Sequence, residues 1–181
     1  VQDLKQRLEA QGKTVAIVSF ADALKDAVEH LFAVPIGIIP DWDSDEFKNT
    51  VHPCGKTYRQ LLQIFGTDFC RALWPDIWVG AWKWQVLNIY PNYDYILVPD
   101  VRFENEVKVI QDLGGKVIRL TRAPFASQDK HESETALDKI QFEMMHPFFD
   151  LENRSELKFD AVLDNSQMSI PERRPPCGGV D

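Results

Sequence analysis

Hydrophobic positions alternate along the chain between short β-branched runs and longer stretches with helical spacing. The short runs predict four strands, at residues 14–20, 93–100, 116–122 and 159–165. Apolar residues three or four positions apart predict helices over residues 1–11, 21–34, 57–73, 76–90 and 102–115. Because strands and helices alternate, we expect an α/β fold, with a parallel sheet and helices on both of its faces.

Polar stretches interrupt this pattern in three places. Residues 35–53 have prolines at both edges and predict a loop, and residues 123–136 predict a mobile polar segment. The tail PERRPPCGGVD, residues 171–181, holds too much proline and glycine for a packed element and is expected to be loose. A chain of 181 residues, 44% of them hydrophobic, can bury one sizeable core, which predicts a single domain over residues 1–170.

The net charge of −8 narrows the range of partners. Binding to the backbone of a nucleic-acid polymer needs a basic footprint, so that class of partner is not expected. A small anionic ligand in a locally basic cleft remains compatible with this charge. Three cysteines without metal-ligand spacing fit a reducing compartment. With no long apolar run and no signal peptide, the sequence predicts a soluble, cytoplasmic protein without a membrane partner.

Two Gly-Lys-Thr triplets suggest the loop that holds nucleotide phosphates, whose full pattern is G-x-x-x-x-G-K-[ST] between a strand and a helix. For Gly55-Lys56-Thr57 the first glycine would fall on Thr50, after a stretch too acidic for a buried strand. For Gly12-Lys13-Thr14 it would fall on Arg7, inside a predicted helix. Both triplets are therefore interpreted as coincidences, with Gly12 as a helix C-terminal glycine.

The segment ILVPDVRFENE carries the strongest functional signal, because ligands of open parallel sheets bind at the carboxyl ends of strands. It places Asp100 at such an end, where a carboxylate can hold a Mg²⁺-bound water or a sugar hydroxyl. If the next helix begins near Arg102, then Arg102 and Glu106 share one face at i, i+4. A helix-capping aspartate followed by a surface ion pair would account for the same segment. Composition alone does not decide between this structural role and a ligand-binding role.

Cationic and small residues elsewhere suggest a phosphate site. Lys25 lies about one helical turn past the first strand and can reach a phosphate, although a solvated lysine is the simpler interpretation. Arg59 and Arg71 flank FGTD, and a guanidinium can clamp a phosphate through two parallel bonds. Gly66 and Thr67 would allow close approach of a ligand and offer a hydroxyl, unless Gly66 only breaks the helix.

A tryptophan stripe marks the helix predicted at 76–90. Trp74, Trp78 and Trp82 recur every four residues, a spacing more typical of core packing than of ligand contact. One of these rings could still stack on a base. The same apolar helix could serve an interface, which leaves a homodimer open. His131 and Glu134 lack a third partner, so no metal site is predicted there.

Four segments resemble, in the same order, the deoxynucleoside monophosphate kinases of tailed bacteriophages. They are SFADALKDAV, RQLLQIFGTDFCRALWPDIWV, VPDVRFENEVKVIQDLGGKVIRLTR and HESETALD, and they span most of residues 14–138. The resemblance implies a P-loop NTPase-like kinase fold, with an acceptor-binding insertion at 35–92 and a lid-like segment at 122–148. It also implies transfer of the γ-phosphate of ATP to a deoxynucleoside 5′-monophosphate (dNMP), with Mg²⁺.

The resemblance also assigns site residues. Around the acceptor nucleotide it places Lys25, Arg59, Gly66, Thr67, Trp78, Asp100, Arg102 and Glu106. Among the tryptophans it favours Trp78. Arg122 would reach over the phosphates from the base of the lid, so that Arg59, Arg102 and Arg122 would be the catalytic residues.

One part of the family pattern has no match in this sequence. In the family, the first strand and the phosphate loop precede the helix with which this chain begins, so the ATP-binding loop is expected upstream of Val1. The competing hypothesis is a catalytically silent nucleotide-binding or scaffold module that lacks a phosphate loop.

Overall fold

The computed structural model describes residues 1–121, 137 and 159–164. Their α-helices are α1 (Gln2–Ala10), α2 (Asp22–Val28), α3 (Asp45–Asn49), α4 (Tyr58–Gln63), α5 (Ile77–Ile89) and α6 (Glu104–Asp112). The strands are β1 (Val15–Ile17), β2 (Tyr95–Leu97), β3 (Ile118–Thr121) and β4 (Ala161–Asp164). Wide π-helical turns extend α2 over Glu29–Ala33 and α4 over Ile64–Arg71, and short 3₁₀ turns occupy Val34–Ile36 and Tyr90–Asn92.

All four predicted strands are present, each beginning one or two residues later than predicted, and their parallel pairing is confirmed. Strand β1 pairs with β2 in the register Val15↔Tyr95 to Ile17↔Leu97. Strand β3 pairs with β4 in the register Ile118↔Ala161 to Thr121↔Asp164. Within the described residues these strands form two separate two-stranded sheets instead of the single sheet predicted. The alternation of strands and helices is that of an α/β protein.

One hydrophobic cluster joins the helices to both strand pairs. Its buried members lie just after β1, on α5 and α6, just before β3 and at position 137 between β3 and β4. They are Val18, Phe20, Trp82, Val86, Val107, Val109, Ile110, Val117 and Leu137. Ile96 of β2 and Phe159 before β4 pack against it. The core is thus assembled from segments far apart in sequence, and it fixes the ends of β1 and β2 relative to α6.

A second hydrophobic cluster, with buried members Val28, Ala33, Tyr58 and Leu61, packs against side chains of residues 35–53, where the prediction of a plain loop was wrong. Helix α3 forms there because the Ser44 hydroxyl accepts the Phe47 N–H at 3.1 Å as an N-cap. The Phe47 ring then stacks on buried Tyr58, with centroids 4.6 Å apart. Because this stretch is rich in acidic residues, the sequence-based prediction missed both the Ser44 cap and the packing of Phe47.

Both Gly-Lys-Thr triplets have structural explanations. Gly55 takes a positive φ of 82° in a tight turn, where its N–H donates to the His52 carbonyl at 2.8 Å. Thr57 then caps α4, accepting the Gln60 N–H at 3.1 Å. Gly12 ends α1 at φ 77°, as predicted. Neither triplet lies between a strand and a following helix, as the phosphate loop does.

The tryptophan stripe divides between core and surface. Trp78 and Trp82 are buried on α5, whereas Trp74 and Trp84 are exposed. The lid-like segment 122–148, Arg122, His131, Glu134 and the tail 171–181 lie outside the described residues, apart from Leu137. Within the described part of the chain, no helix combines the length and apolarity that a membrane span requires.

Candidate active site

A cleft of about 410 Å³ opens beside the carboxyl ends of β1 and β2. Its walls come from the turns after these strands, from α2, from α3 and α4 with its π-helical extension, and from the first turns of α5 and α6. All eight predicted acceptor-site residues border it, and they are Lys25, Arg59, Gly66, Thr67, Trp78, Asp100, Arg102 and Glu106. The structure therefore brings together positions spread over 82 residues of sequence, from position 25 to position 106.

Asp100 fastens the end of β2 to the turn between β1 and α2. Its Oδ1 accepts the Phe20 N–H at 3.0 Å and its Oδ2 accepts the Ala21 N–H at 2.9 Å. Burial raises the pKa of this carboxyl, although the two N–H bonds act in the opposite direction. Nearby Asp22 raises the pKa further and Arg102 lowers it. Asp100 thus acts both as a cleft residue and as the cross-link between two strand ends.

Glu106 is the most deeply buried charged residue at the site, with 2% of its side chain exposed. One oxygen pairs with the Arg71 guanidinium, and the other accepts the N–H groups of Arg102 at 2.7 Å and Phe103 at 3.1 Å. Burial raises the pKa of Glu106, opposed by the Arg102 N–H, the Arg71 charge and the Phe103 N–H. This carboxylate fixes the backbone that leads from β2 into α6.

Arg102 and Glu106 were expected to share one helical face if the helix began near Arg102, and the structure does not meet that condition. Helix α6 begins at Glu104, so Arg102 precedes it. Glu106 therefore turns back to cap the helix and bonds the Arg102 backbone instead of its guanidinium. The exposed Arg102 side chain still borders the cleft.

The opposite wall is built on α3 and α4. The Arg59 guanidinium donates through Nε to Asn49 Oδ1 at 3.2 Å and through Nη2 to Asp45 Oδ1 at 2.9 Å. Lys48 Nζ lies 3.0 Å from the same Asp45 oxygen. Hydrogen bonds from Lys48 and Arg59 lower the pKa of Asp45. One exposed carboxylate thus holds two cations side by side at the cleft.

Gly66 and Trp78 form a tightly packed part of the wall. The Trp78 indole N–H donates to the Gly66 carbonyl at 2.9 Å, and Trp78 is 7% exposed. A Cβ on Gly66 would lie 2.6 Å from Leu24 Cδ2, so the absence of a side chain lets α2 approach. The helix is not broken at Gly66 but continues through the wide turns of Ile64–Arg71. Gly66 was predicted to allow the close approach of a ligand, and in this structure the group that approaches it closely is the Leu24 side chain.

Several cleft residues escaped the sequence-based prediction. Arg71 was recognised as a phosphate-clamp candidate but not assigned to the site, whereas Phe20, Trp42, Lys48 and Phe103 were not considered. Phe103 stands inside the D-x-R-F stretch, which was a usable signal. Trp42 precedes the missed helix α3 and Lys48 lies within it, so neither could be placed without that helix.

The cleft is basic although the chain is acidic. Five cationic side chains border it (Lys25, Lys48, Arg59, Arg71 and Arg102), against three acidic ones (Asp43, Asp100 and Glu106). Two of these acids are held by backbone N–H groups. This local excess of positive charge suits an anion such as a phosphate, as the charge analysis allowed.

A protein-held metal does not fit the residues that border the cleft. Within the described ranges, no group of three or more His, Cys, Asp or Glu side chains could hold a metal ion. Both oxygens of Asp100 already accept backbone N–H groups. The Mg²⁺ prediction is therefore tied to the phosphates of a nucleotide, where this ion usually keeps several waters.

Fold and cleft together define a class of protein. A parallel α/β framework whose basic cleft, with aromatic side chains in its walls, opens at the strand ends is typical of nucleotide-binding proteins. Residues 44–146 match the family model described as deoxynucleotide monophosphate kinase. The chain belongs to this family.

Individual relatives agree with the family model. A protein of Acanthamoeba polyphaga mimivirus, named provisionally as a deoxynucleotide monophosphate kinase, is 34% identical over 135 residues, covering 68% of this chain and 69% of its own. The deoxynucleotide monophosphate kinases of Enterobacteria phage T4 and Escherichia phage RB69 are each 32% identical over 81 residues, or 44% of this chain. That match spans 34% of the T4 protein and 33% of the RB69 protein. The prediction of a nucleotide kinase, a phosphotransferase, is confirmed at the level of the family.

Proposed function

We propose that this protein transfers the γ-phosphate of ATP to a deoxynucleoside 5′-monophosphate, giving the diphosphate. The observation that carries the proposal is the convergence of Lys25, Arg59, Asp100 and Arg102 on one basic cleft. Family membership supports the reaction class, and the excess of cations around the cleft supports an acceptor site there.

The acceptor phosphate would lie among the cations. Arg59 keeps Nη1 and part of Nη2 available beside its bonds to Asn49 and Asp45, so it can still donate to phosphate oxygens. Lys25, on α2, and Arg102, after β2, would approach the phosphate from the strand ends. Charge-assisted bonds of this kind contribute about 1.5–3 kcal/mol each.

Asp100 and Glu106 have positioning roles in this proposal. Their oxygens hold the backbone at the ends of β1 and β2, which keeps Arg102 and the start of α2 in place. Phosphoryl transfer needs oriented oxygens and neutralised charge more than covalent chemistry. The acceptor phosphate is its own nucleophile, so no strong general base is required.

Remaining parts of the reaction stay predictions. Arg122 would screen the γ-phosphate, and closure of the lid-like segment 122–148 would exclude water. ATP would be held by a phosphate loop, and Mg²⁺ would neutralise charge on its phosphates. A homodimer and the absence of a nucleic-acid partner likewise remain expectations.

The direct test is a coupled assay for ADP on the full-length protein, with ATP, Mg²⁺ and each dNMP in turn. We expect turnover with at least one acceptor, and no ADP formation with any of them would reject the activity. A second test compares Arg102→Ala with Arg7→Ala, a change in an exposed arginine of α1. We expect kcat/KM to fall at least tenfold only for Arg102→Ala, because one charge-assisted bond is worth about that factor.

A catalytically silent nucleotide-binding module is the competing candidate, because the basic cleft would suit a bound nucleotide with or without phosphoryl transfer. Calorimetry on the full-length protein separates the two hypotheses. Binding of a dNMP without binding of ATP supports the module, whereas binding of both nucleotides supports the kinase.

A further inference from the structure

We propose that Phe103 is the platform on which the nucleobase of the acceptor stacks, with the Arg71 guanidinium as its support. This inference rests on the proposed function and adds a residue that determines how the base is held. The Phe103 ring borders the cleft, and the Arg71 Cζ lies 3.8 Å from its centroid. One face of the ring is therefore covered by a planar cation, and a ligand would take the other face.

The ring is held in place by a closed set of contacts. Arg71 pairs with Glu106, and the same carboxylate accepts the Phe103 N–H at 3.1 Å. Arg71 also donates from Nη1 to the Pro75 carbonyl at 3.2 Å, which anchors the guanidinium from outside the cleft. Backbone and ring of Phe103 are thus both fixed by one buried ion pair. A ring already immobilised loses little conformational freedom when a ligand stacks on it.

The chemistry of the platform suits a nucleobase. Every base has a flat π-face, so stacking on an aromatic ring tolerates different bases. The neighbouring cations Lys25, Arg59 and Arg102 would hold the phosphate at the same time. The cleft therefore combines a flat apolar surface, which suits the base of a mononucleotide, with a cationic surface, which suits its phosphate.

Other aromatic residues of the cleft are less available for stacking. Phe20 is buried and stacks on Trp82, with centroids 4.6 Å apart. Trp78, which the family resemblance favoured, is buried as well and donates its indole N–H to Gly66. Trp42 meets Phe47 edge-to-face and bonds Glu29 through its indole N–H at 3.2 Å. Phe103 and Trp42 are both half-buried, but the Trp42 ring is met edge-to-face by Phe47 and by Tyr58.

Two probes separate stacking from phosphate binding: each dNMP, and 2-deoxyribose 5-phosphate, which lacks a base. Calorimetry on the full-length protein should show tighter binding of a dNMP than of the base-free probe. In Phe103→Leu we expect the Kd for the dNMP to rise about tenfold, as for the loss of one base–aromatic contact. The Kd for the base-free probe should stay the same, which also shows that the variant is folded.

Matched variants sharpen the result. Phe103→Tyr keeps the ring and should restore most of the affinity lost in Phe103→Leu. Phe69→Leu removes an exposed ring that stacks on Phe65, away from the residues that border the cleft, and should change neither Kd.

Three outcomes overturn the inference. They are wild-type affinities equal for the two probes, a dNMP Kd unchanged in Phe103→Leu, and equal losses for both probes in that variant. Failure of the wild-type protein to bind any dNMP would instead reject the proposed function. Binding of a dNMP by the wild type therefore tests the proposed function, whereas the change in Kd between the wild type and Phe103→Leu tests the stacking role of Phe103.

Discussion

Two arginine–carboxylate pairs stand on opposite walls of the cleft in opposite environments. On the inner wall, formed by Arg71, Phe103 and Glu106, the paired side chains are 12% and 2% exposed. On the outer wall, formed by Asp45, Lys48 and Arg59, the Arg59 and Asp45 side chains are 42% and 79% exposed. An arginine–carboxylate pair is thus buried on the inner wall and exposed to solvent on the outer wall.

Solvation explains the difference. Removing two charges from water is costly, so the inner pair exists only because backbone N–H groups and the Phe103 ring complete its contacts. An exposed pair gains little from its attraction and can rearrange readily. We therefore expect the inner wall to be preformed and the outer wall to adjust when a phosphate arrives.

Glu106→Ala should have the largest effect on stability. It leaves the Arg71 charge buried without its carboxylate, a type of change that costs about 3–5 kcal/mol. Urea unfolding of the variant and the wild type measures this difference. Glu104→Ala, an exposed glutamate in the first turn of the same helix, is the control. Equal losses in the two variants would contradict the assigned role of the inner pair.

Arg59→Ala should weaken binding more than folding. If Arg59 donates one charge-assisted bond to the acceptor phosphate, worth about 1.5–3 kcal/mol, the KM for the dNMP rises about 10- to 100-fold. Unfolding should change little, because the pair with Asp45 is exposed. Steady-state kinetics beside a thermal melt separate the two effects. A large fall in the melting temperature with an unchanged KM would place Arg59 in the structure and outside the site.

Asp100 should make the stability of the folded protein depend on pH. Its pKa is raised by burial above the ordinary value of 3.8, so the folded protein binds this proton more readily than the unfolded chain does. Ionisation of Asp100 therefore costs stability, beginning near pH 3.8 and complete above the raised pKa. The free energy of unfolding of the wild type minus that of Asp100→Asn should fall as the pH rises through this window. Urea titrations at several pH values measure this difference, and a rise would contradict the assigned environment.

Asp45→Asn should have the smallest effect on stability. The pKa of Asp45 is lowered by its cationic partners, so its contribution is present above pH 3.8 and is lost as the pH falls through the lowered value. Exposed pairs contribute little, so we expect the melting temperature to stay within about 2 °C of the wild type. Asp3→Asn, which breaks the exposed pair with Arg7 on α1, is the matched control. A shift as large as that of Glu106→Ala would remove the distinction between the walls.

Local patterns were enough to predict the parts of the fold that depend on local physics. The four strands follow from β-branched runs, and the ends of α1 and α6 follow from Gly12 and Gly114. The rule that ligands meet strand ends led to Asp100 and Arg102, which do border the cleft.

Partners across the cleft could not be predicted in this way. Arg71 and Glu106 are 35 positions apart, and no helical or strand period links them. Asp45 meets Arg59 only because α3 forms, and that helix was hidden within an acidic stretch. Such contacts depend on how elements pack, which a single sequence does not display.

The wide turns of Ile64–Arg71 make this segment tolerant of a change in its length. A π-helical turn holds about one residue more than an α-helical turn. Deleting one residue, for example exposed Asp68, would let the backbone tighten into a regular helix, and the later side chains would rotate little because the wide turn absorbs the loss. Arg71 would then still point toward Glu106, and the capped start of α4 would remain as it is. The same deletion within the regular helix α5 would rotate every later side chain by about 100°. Among related sequences, a gap of one residue should therefore be commoner within Ile64–Arg71 than within α5.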